Sequence, residues 1–157
     1  MAVKVLKKHK KIWTKKEREA WMRPKKITVS QWADTYRYLN PVTSAEPGKW
    51  KTERTPYLKG VMDAFTDPFV EEITVMASSQ VGKTESMYNM LGFVIDQDPG
   101  PTLMVMPREN DAKSVSYNRV LPMIQGSETL NRHLPELKDD ITKLEYHLNR
   151  MILYFAG

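Results

Sequence analysis

Residues 77 to 84 read ASSQVGKT, and a run of that shape can hold a phosphate chain. The pattern G-x-x-x-x-G-K-[ST] works through a turn whose backbone N–H groups point inward, a lysine that reaches the outer phosphates and a hydroxyl that joins the shell of a magnesium ion. Ala77 stands where the pattern has its first glycine. Alanine serves there provided φ is negative, because it fails mainly where a left-handed backbone or very close approach is required. Gly82 is then the glycine that matters, Lys83 the phosphate residue and Thr84 the magnesium ligand. Ser78, Ser79, Gln80 and Val81 form the turn between, and Glu85 follows directly. Ser78 or Ser79 could donate to a phosphate oxygen, although small polar residues in a tight turn need no such explanation. The ordinary alternative makes Lys83 a solvated lysine at a helix start and Thr84 a local cap.

The elements around the loop must present it. EITVMAS, residues 72–78, reads as a short apolar, β-branched strand, and the segment after the loop places Met87, Met90, Leu91, Val94 and Ile95 at helical spacing. Such a helix aims its N-terminal donors and dipole at a bound anion. Asp98-Pro99-Gly100-Pro101 stops it, and the apolar run TLMVMP, 102–107, is expected as a buried strand parallel to the first, closing a βαβ unit. Upstream, Ser30 is expected to cap a helix over 31–39 with Trp32, Tyr36 and Leu39 on its apolar face. Residues 40–54, rich in Pro, Ser, Thr and Gly, read as a loop. Thr55 and Pro56 then open a helix over 56–66 with Tyr57, Val61, Ala64 and Phe65 on one side. Downstream, 109–124 reads as a helix that turns Val115, the Arg119 stem and Val120 to the sheet, with a break or kink around Pro122. A short capped helix over 127–134 follows, then a β-hairpin over 141–155 turning near Asn149.

With 157 residues the chain has room for one domain. It has no cysteine, which excludes disulfides and thiolate metal sites, and His9, His133 and His147 lack zinc-ligand spacing. No stretch approaches the ~18 apolar residues of a membrane span, and no apolar signal-peptide core follows the basic start, so a soluble, non-secreted protein is expected. The net charge of +5 is uneven. Residues 1–26 carry eleven Lys or Arg against two Glu, while the remainder carries thirteen against seventeen acids. That leader, with a capped helix expected from Thr14 to Arg23 and with Trp13, Trp21 and Met22 between its charges, can lie along phosphate backbone, pack on a partner, or be a solvated tail.

Hydrolysis asks for more than the loop: an acidic residue at another strand end for the magnesium shell and a group to position water. No apolar strand closed by Asp or Glu follows the loop, and the strand 102–106 ends at Pro107-Arg108. The expected fold class is therefore α/β, a P-loop NTPase-type parallel sheet with helical crossovers, incomplete as a catalytic site and preceded by a helical N-terminal extension. Residues 1–26 form the basic leader and 27–157 the N-terminal part of the ATPase domain.

Three stretches carry a more specific likeness. QWADTYRYLNPVTSAEPGKWKTERTPYLKGVMDAF, EEITVMASSQVGKTE and TLMVMPREND closely resemble the N-terminal part of the large terminase subunit of tailed bacteriophages, the lambda-like GpA group. The resemblance implies an ATP-driven motor that moves double-stranded viral DNA into a procapsid, with a small terminase subunit and the portal as partners and the host cytoplasm as its place of work. It implies ATP and Mg2+ as cofactors, Lys83 and Thr84 as the phosphate and magnesium residues, and Pro56 and Tyr57 as flanking the adenine. Leu58 stands where a glutamine commonly follows that tyrosine. The hairpin 141–155 resembles the segment ahead of the family's acidic strand, so the Walker B acid, the coupling motif and the nuclease carboxylates are expected beyond Gly157. The competing readings are a stand-alone P-loop protein such as a kinase, a helicase-like translocase, and a nucleic-acid-binding module centred on the leader.

Overall fold

A computed structural model describes residues 26–41 and 46–157, together with 13, 14, 17 and 44. The expectations for the leader fall almost wholly outside them. At the predicted helix start, the Thr14 amide donates to Glu17 Oε2 at 2.6 Å and the Glu17 amide to Thr14 Oγ1 at 3.2 Å, the reciprocal pair of a capping box.

Helix α1, Val29–Tyr36, starts two residues earlier than expected, with Thr28 as its cap: Thr28 Oγ1 accepts from the Gln31 amide, and Gln31 Oε1 accepts from the Thr28 amide. Ser30 lies inside the helix, its amide donating to Asp63 Oδ1 at 3.1 Å. Arg37 ends α1, and Tyr38–Leu39 (β1) pairs antiparallel with Gly48–Lys49 (β2), so the stretch read as a plain loop holds a small ladder. Leu39 accordingly leaves the helical face, and Tyr36 is exposed. Helix α2, Pro56–Ala64, begins on its proline as expected, but the Thr55 side chain makes no cap bond, because its backbone at φ −134°, ψ 61° does not turn the hydroxyl onto the first amides. Its buried face is Leu58 and Met62, one turn apart, whereas Tyr57 and Phe65 are exposed.

Helix α3, Lys83–Gln97, is the central element and is covered on most sides, with Ser86, Tyr88, Asn89, Leu91, Gly92, Phe93, Ile95 and Asp96 buried. Of the expected stripe, Met87 is half-exposed. Trp32 of α1 lies so close to Gly92 that a Cβ there would meet Trp32 Cη2 at 2.4 Å. The absent side chain lets the indole reach Asp96 Oδ2, to which Nε1 donates at 2.9 Å.

The sheet has three strands in the order β3 (Thr102–Val105), β5 (Met151–Ala156), β4 (Glu145–Leu148), with β3 parallel and β4 antiparallel to β5. The hairpin turns on Asn149 and Arg150 as read from sequence. The expected parallel partner of 102–107 is overturned: β3 pairs with β5, and residues 72–78 carry no strand. Strand preference expresses fit to a half-buried pleated surface, and Val75 and Met76 are exposed, so this run gains nothing from its β-branched character. The βαβ unit around the loop is thus not formed. The parallel connection instead runs from β3 through helices α4 (Glu109–Val115), α5 (Leu121–Gly126) and α6 (Glu128–Asn131).

Those helices cover one face of the sheet, where Tyr146, Leu148, Met151, Leu153 and Phe155 are buried. Leu103, Val105 and Tyr154 point the other way and are exposed, so β3 is not the fully buried strand its composition suggested. Between α4 and α5 the chain widens into a π turn, Ser116–Val120, in which the Leu121 amide bonds back to Ser116. Pro122 has no N–H and would crowd the carbonyl four residues back in a regular helix, and the wider turn relieves both. The break expected near Pro122 therefore takes this form. Tyr146 Oη donates to the Ser116 carbonyl at 2.8 Å and seals the turn against the sheet. Burial there pushes the phenol up to about 12, against the bond to Ser116 that lowers it.

Candidate functional site

The loop 77–84 leads into the N-terminus of α3. Gly82 is the helix N-cap with φ 80° and ψ 10°, a left-handed conformation that glycine alone takes without strain. No side chain caps this end. The first amides of a helix have no partner within it, and here the first intrahelical bond runs from the Ser86 amide to the Gly82 carbonyl at 3.1 Å. The amides ahead of Ser86, together with the helix dipole, are what an anion would meet.

Ala77 meets the condition set for it, since the positive-φ residues among those described are Gln80, Gly48 and Gly82. Gln80, read from sequence as part of the turn, has φ 59°. That is the site's one non-glycine left-handed residue, and the sequence offered no signal for it beyond an amide side chain. The Lys83 ammonium folds back over the loop, donating to the carbonyls of Ala77 at 3.1 Å and Ser78 at 3.4 Å. Ser78, Ser79, Gln80 and Thr84 are exposed around it.

Helix α2 buttresses the loop from the side. Tyr57 Oη donates to the Val81 carbonyl at 3.1 Å, while its ring stays 59% exposed and available to a flat ligand. Pro56 sets the first turn of that helix. Leu58, in the place of the expected glutamine, is buried, and its Cδ1 would lie 3.2 Å from a Cβ on Gly82. It supports the loop by packing and offers no amide.

Sequence reasoning missed one participant. Arg37, 4% exposed at the end of α1, extends Nη2 to Glu85 Oε2 at 3.1 Å, in the first turn of α3. Burial pushes this guanidinium below its ordinary value, and the carboxylate of Glu85 pulls it back up. The separation of 48 residues hid the pair.

A triphosphate with one magnesium ion fits these residues: uncapped helix amides, a left-handed glycine, a lysine on neutral carbonyls and an exposed Thr84 hydroxyl. Among the described residues no three His, Cys, Asp or Glu side chains gather where they could hold a metal ion by themselves. Thr84 and the phosphates would supply the metal's ligands. Among the described residues no helix is long and apolar enough to cross a membrane.

Comparison with known proteins agrees with the likeness noted in the sequence. Residues 44–156 match the family described as phage terminase large subunit gpA, ATPase domain. The terminase large subunit of Escherichia phage lambda is 27% identical over 108 residues, which cover 69% of this chain and 16% of that relative. No solved structure matches.

Proposed function

We propose that this chain, which belongs to the phage terminase large subunit gpA ATPase domain family, binds a magnesium nucleoside triphosphate on the loop 77–84 and is the nucleotide-binding part of a DNA-packaging motor. One observation supports this above the others: Lys83 and the free amides of α3 converge on a loop opened by the left-handed Gly82. The fold reading that goes with it is a P-loop NTPase.

Lys83 would exchange its two neutral carbonyl acceptors for phosphate oxygens, a charge-assisted and therefore stronger bond. The α3 amides would hold the inner phosphates, with Ala77 to Gly82 shaping the turn. Thr84 would join the magnesium shell, and Tyr57 with Pro56 would flank the adenine. The metal, when bound, neutralises phosphate charge and polarises the terminal phosphoryl group. The reading extends to ATP hydrolysis, translocation of double-stranded DNA and contacts with the small subunit, portal and procapsid as the work of the whole motor; the chain spans 16% of its lambda relative. The host cytoplasm is the corresponding place of work. The basic leader is the part of the chain suited to DNA or to the small subunit by its charge.

Calorimetric titration of Mg·ATP into the wild type and Lys83→Ala tests the nucleotide site. The variant should bind at least tenfold more weakly, since a hydrogen bond to a charged group is worth about 1.5–3 kcal/mol. Equal affinities would overturn the assignment.

A further inference from the structure

We propose that Arg37 is a positioning residue for the triphosphate site, holding the Glu85 carboxylate neutralised and turned from the phosphate loop so that the N-terminus of α3 stays attractive to anions. The inference rests on the nucleotide reading above and extends it to a residue far upstream of the loop.

Glu85 poses a problem that Arg37 solves. An acidic residue in the first turn of a helix favours the helix, because it faces the positive end of the dipole. The same charge, immediately after Thr84, opposes a polyphosphate arriving at that end. Glu85 is only partly covered, its side chain 32% exposed, so water could have solvated it alone. Instead a guanidinium is brought to it out of solvent, at a cost that a single surface-facing pair does not ordinarily offset. Arg37 Nη1 is held by the Tyr38 carbonyl at 2.5 Å, Nη2 reaches Glu85, and Nε is buried with no hydrogen-bond partner. A group kept in place with one donor unsatisfied is poorly explained by stability alone.

The backbone at Arg37 is fixed on both sides. Its amide donates to the Ala33 carbonyl at the end of α1, and its carbonyl accepts from the Trp50 amide across the small ladder, both at 3.0 Å. Helix α1 is itself seated on α3 through Trp32 at Gly92. The guanidinium therefore sits in a fixed relation to the helix whose first turn it serves. Glu85 also acts on its other neighbour: Tyr88 has its phenol raised first by burial and then by the Glu85 charge, which Arg37 and Arg119 counter.

The charge argument separates triphosphate from diphosphate, because the added phosphate brings added negative charge to the same helix end. The readout is the ratio of ADP to ATP dissociation constants, both with magnesium, by calorimetry at low salt. Arg37→Met should lower this preference for ATP about tenfold, while Arg37→Met with Glu85→Gln should return it to within about threefold of wild type. Glu85→Gln alone should raise it, since the guanidinium is then uncompensated. Arg37→Lys, which keeps the cation, should hold the ratio even where its melting temperature falls. A ratio equally depressed in Arg37→Met and the double variant would make Arg37 a structural residue and overturn the proposal. Should Arg37→Met not fold, the Glu85→Gln arm decides, and an unchanged ratio there overturns the proposal equally. A wild type that binds neither nucleotide, or whose binding survives Lys83→Ala, would overturn the nucleotide reading together with this one. Binding abolished in Lys83→Ala with a ratio indifferent to both substitutions would overturn this inference alone.

Discussion

The carboxylate of Asp96 is 1% exposed and receives four side chains: Trp32 Nε1 at 2.9 Å and Gln97 Nε2 at 2.6 Å on one oxygen, Arg132 Nη2 at 2.5 Å and His133 Nε2 at 3.1 Å on the other. Burial alone would raise its pKa, but the donors from Gln97, Trp32, Arg132 and His133 outweigh it and leave the group below its ordinary 3.8. A carboxyl whose folded pKa lies below its unfolded one contributes stability that is fully present above the unfolded value. That stability is lost as pH falls through the folded value. The wild type should therefore lose urea resistance below about pH 4. Asp96→Asn, which puts an amide NH2 in place of one of these donor-facing oxygens, should cost about 2 kcal/mol at pH 7 and lose less on acidification. Some acid sensitivity should persist, since Asp63 is held low in the same way: burial raises it, and bonds from Lys59 and Ser30 bring it down. If Asp96→Asn shows the full acid loss of the wild type, the carboxylate is not the group responsible.

At the level of elements, α3 is the frame on which α1, α2 and the loop are mounted, and its contact with Trp32 depends on Gly92. Gly92→Ala gains about 1 kcal/mol of helix propensity but drives a methyl into the indole, and overpacking of this kind costs about 1–3 kcal/mol. We expect a net loss at the denaturant midpoint, larger than for alanine at Gly60, which has nothing within 4 Å of a built Cβ. Equal effects at the two glycines would remove the close approach of α1 and α3. Much of this frame was legible beforehand. Helical spacing after Gly82, proline at the head of α2, the Asn149 turn and the break near Pro122 each follow from local chemistry, and each is present. What was not legible depends on partners distant in the chain. Residues 72–78 have strand composition and no strand, because pairing is decided by which strands meet. Arg37 and Glu85 are 48 positions apart, Trp32 and Asp96 are 64, and Arg132 and Asp96 are 36, separations that no periodicity marks. The turn into α3 was the most readable part, since a left-handed N-cap at Gly82 is a conformation that glycine marks locally.

At the scale of the whole molecule, helices pack on one side of the sheet while Leu103 and Val105 on the other are 58% and 66% exposed. Among the described residues β3 is also a sheet edge, with no strand on its outer side. Unpaired backbone groups beside an apolar strip are a template for another chain. Concentration thus becomes a variable in how this protein behaves as a colloid, independently of any nucleotide. The light-scattering intensity per unit mass of the purified chain should rise with concentration, and Val105→Lys, a charge on that edge, should suppress the rise without lowering Mg·ATP affinity. A scattering intensity per unit mass that stays flat across the series would show that the edge is inert in solution.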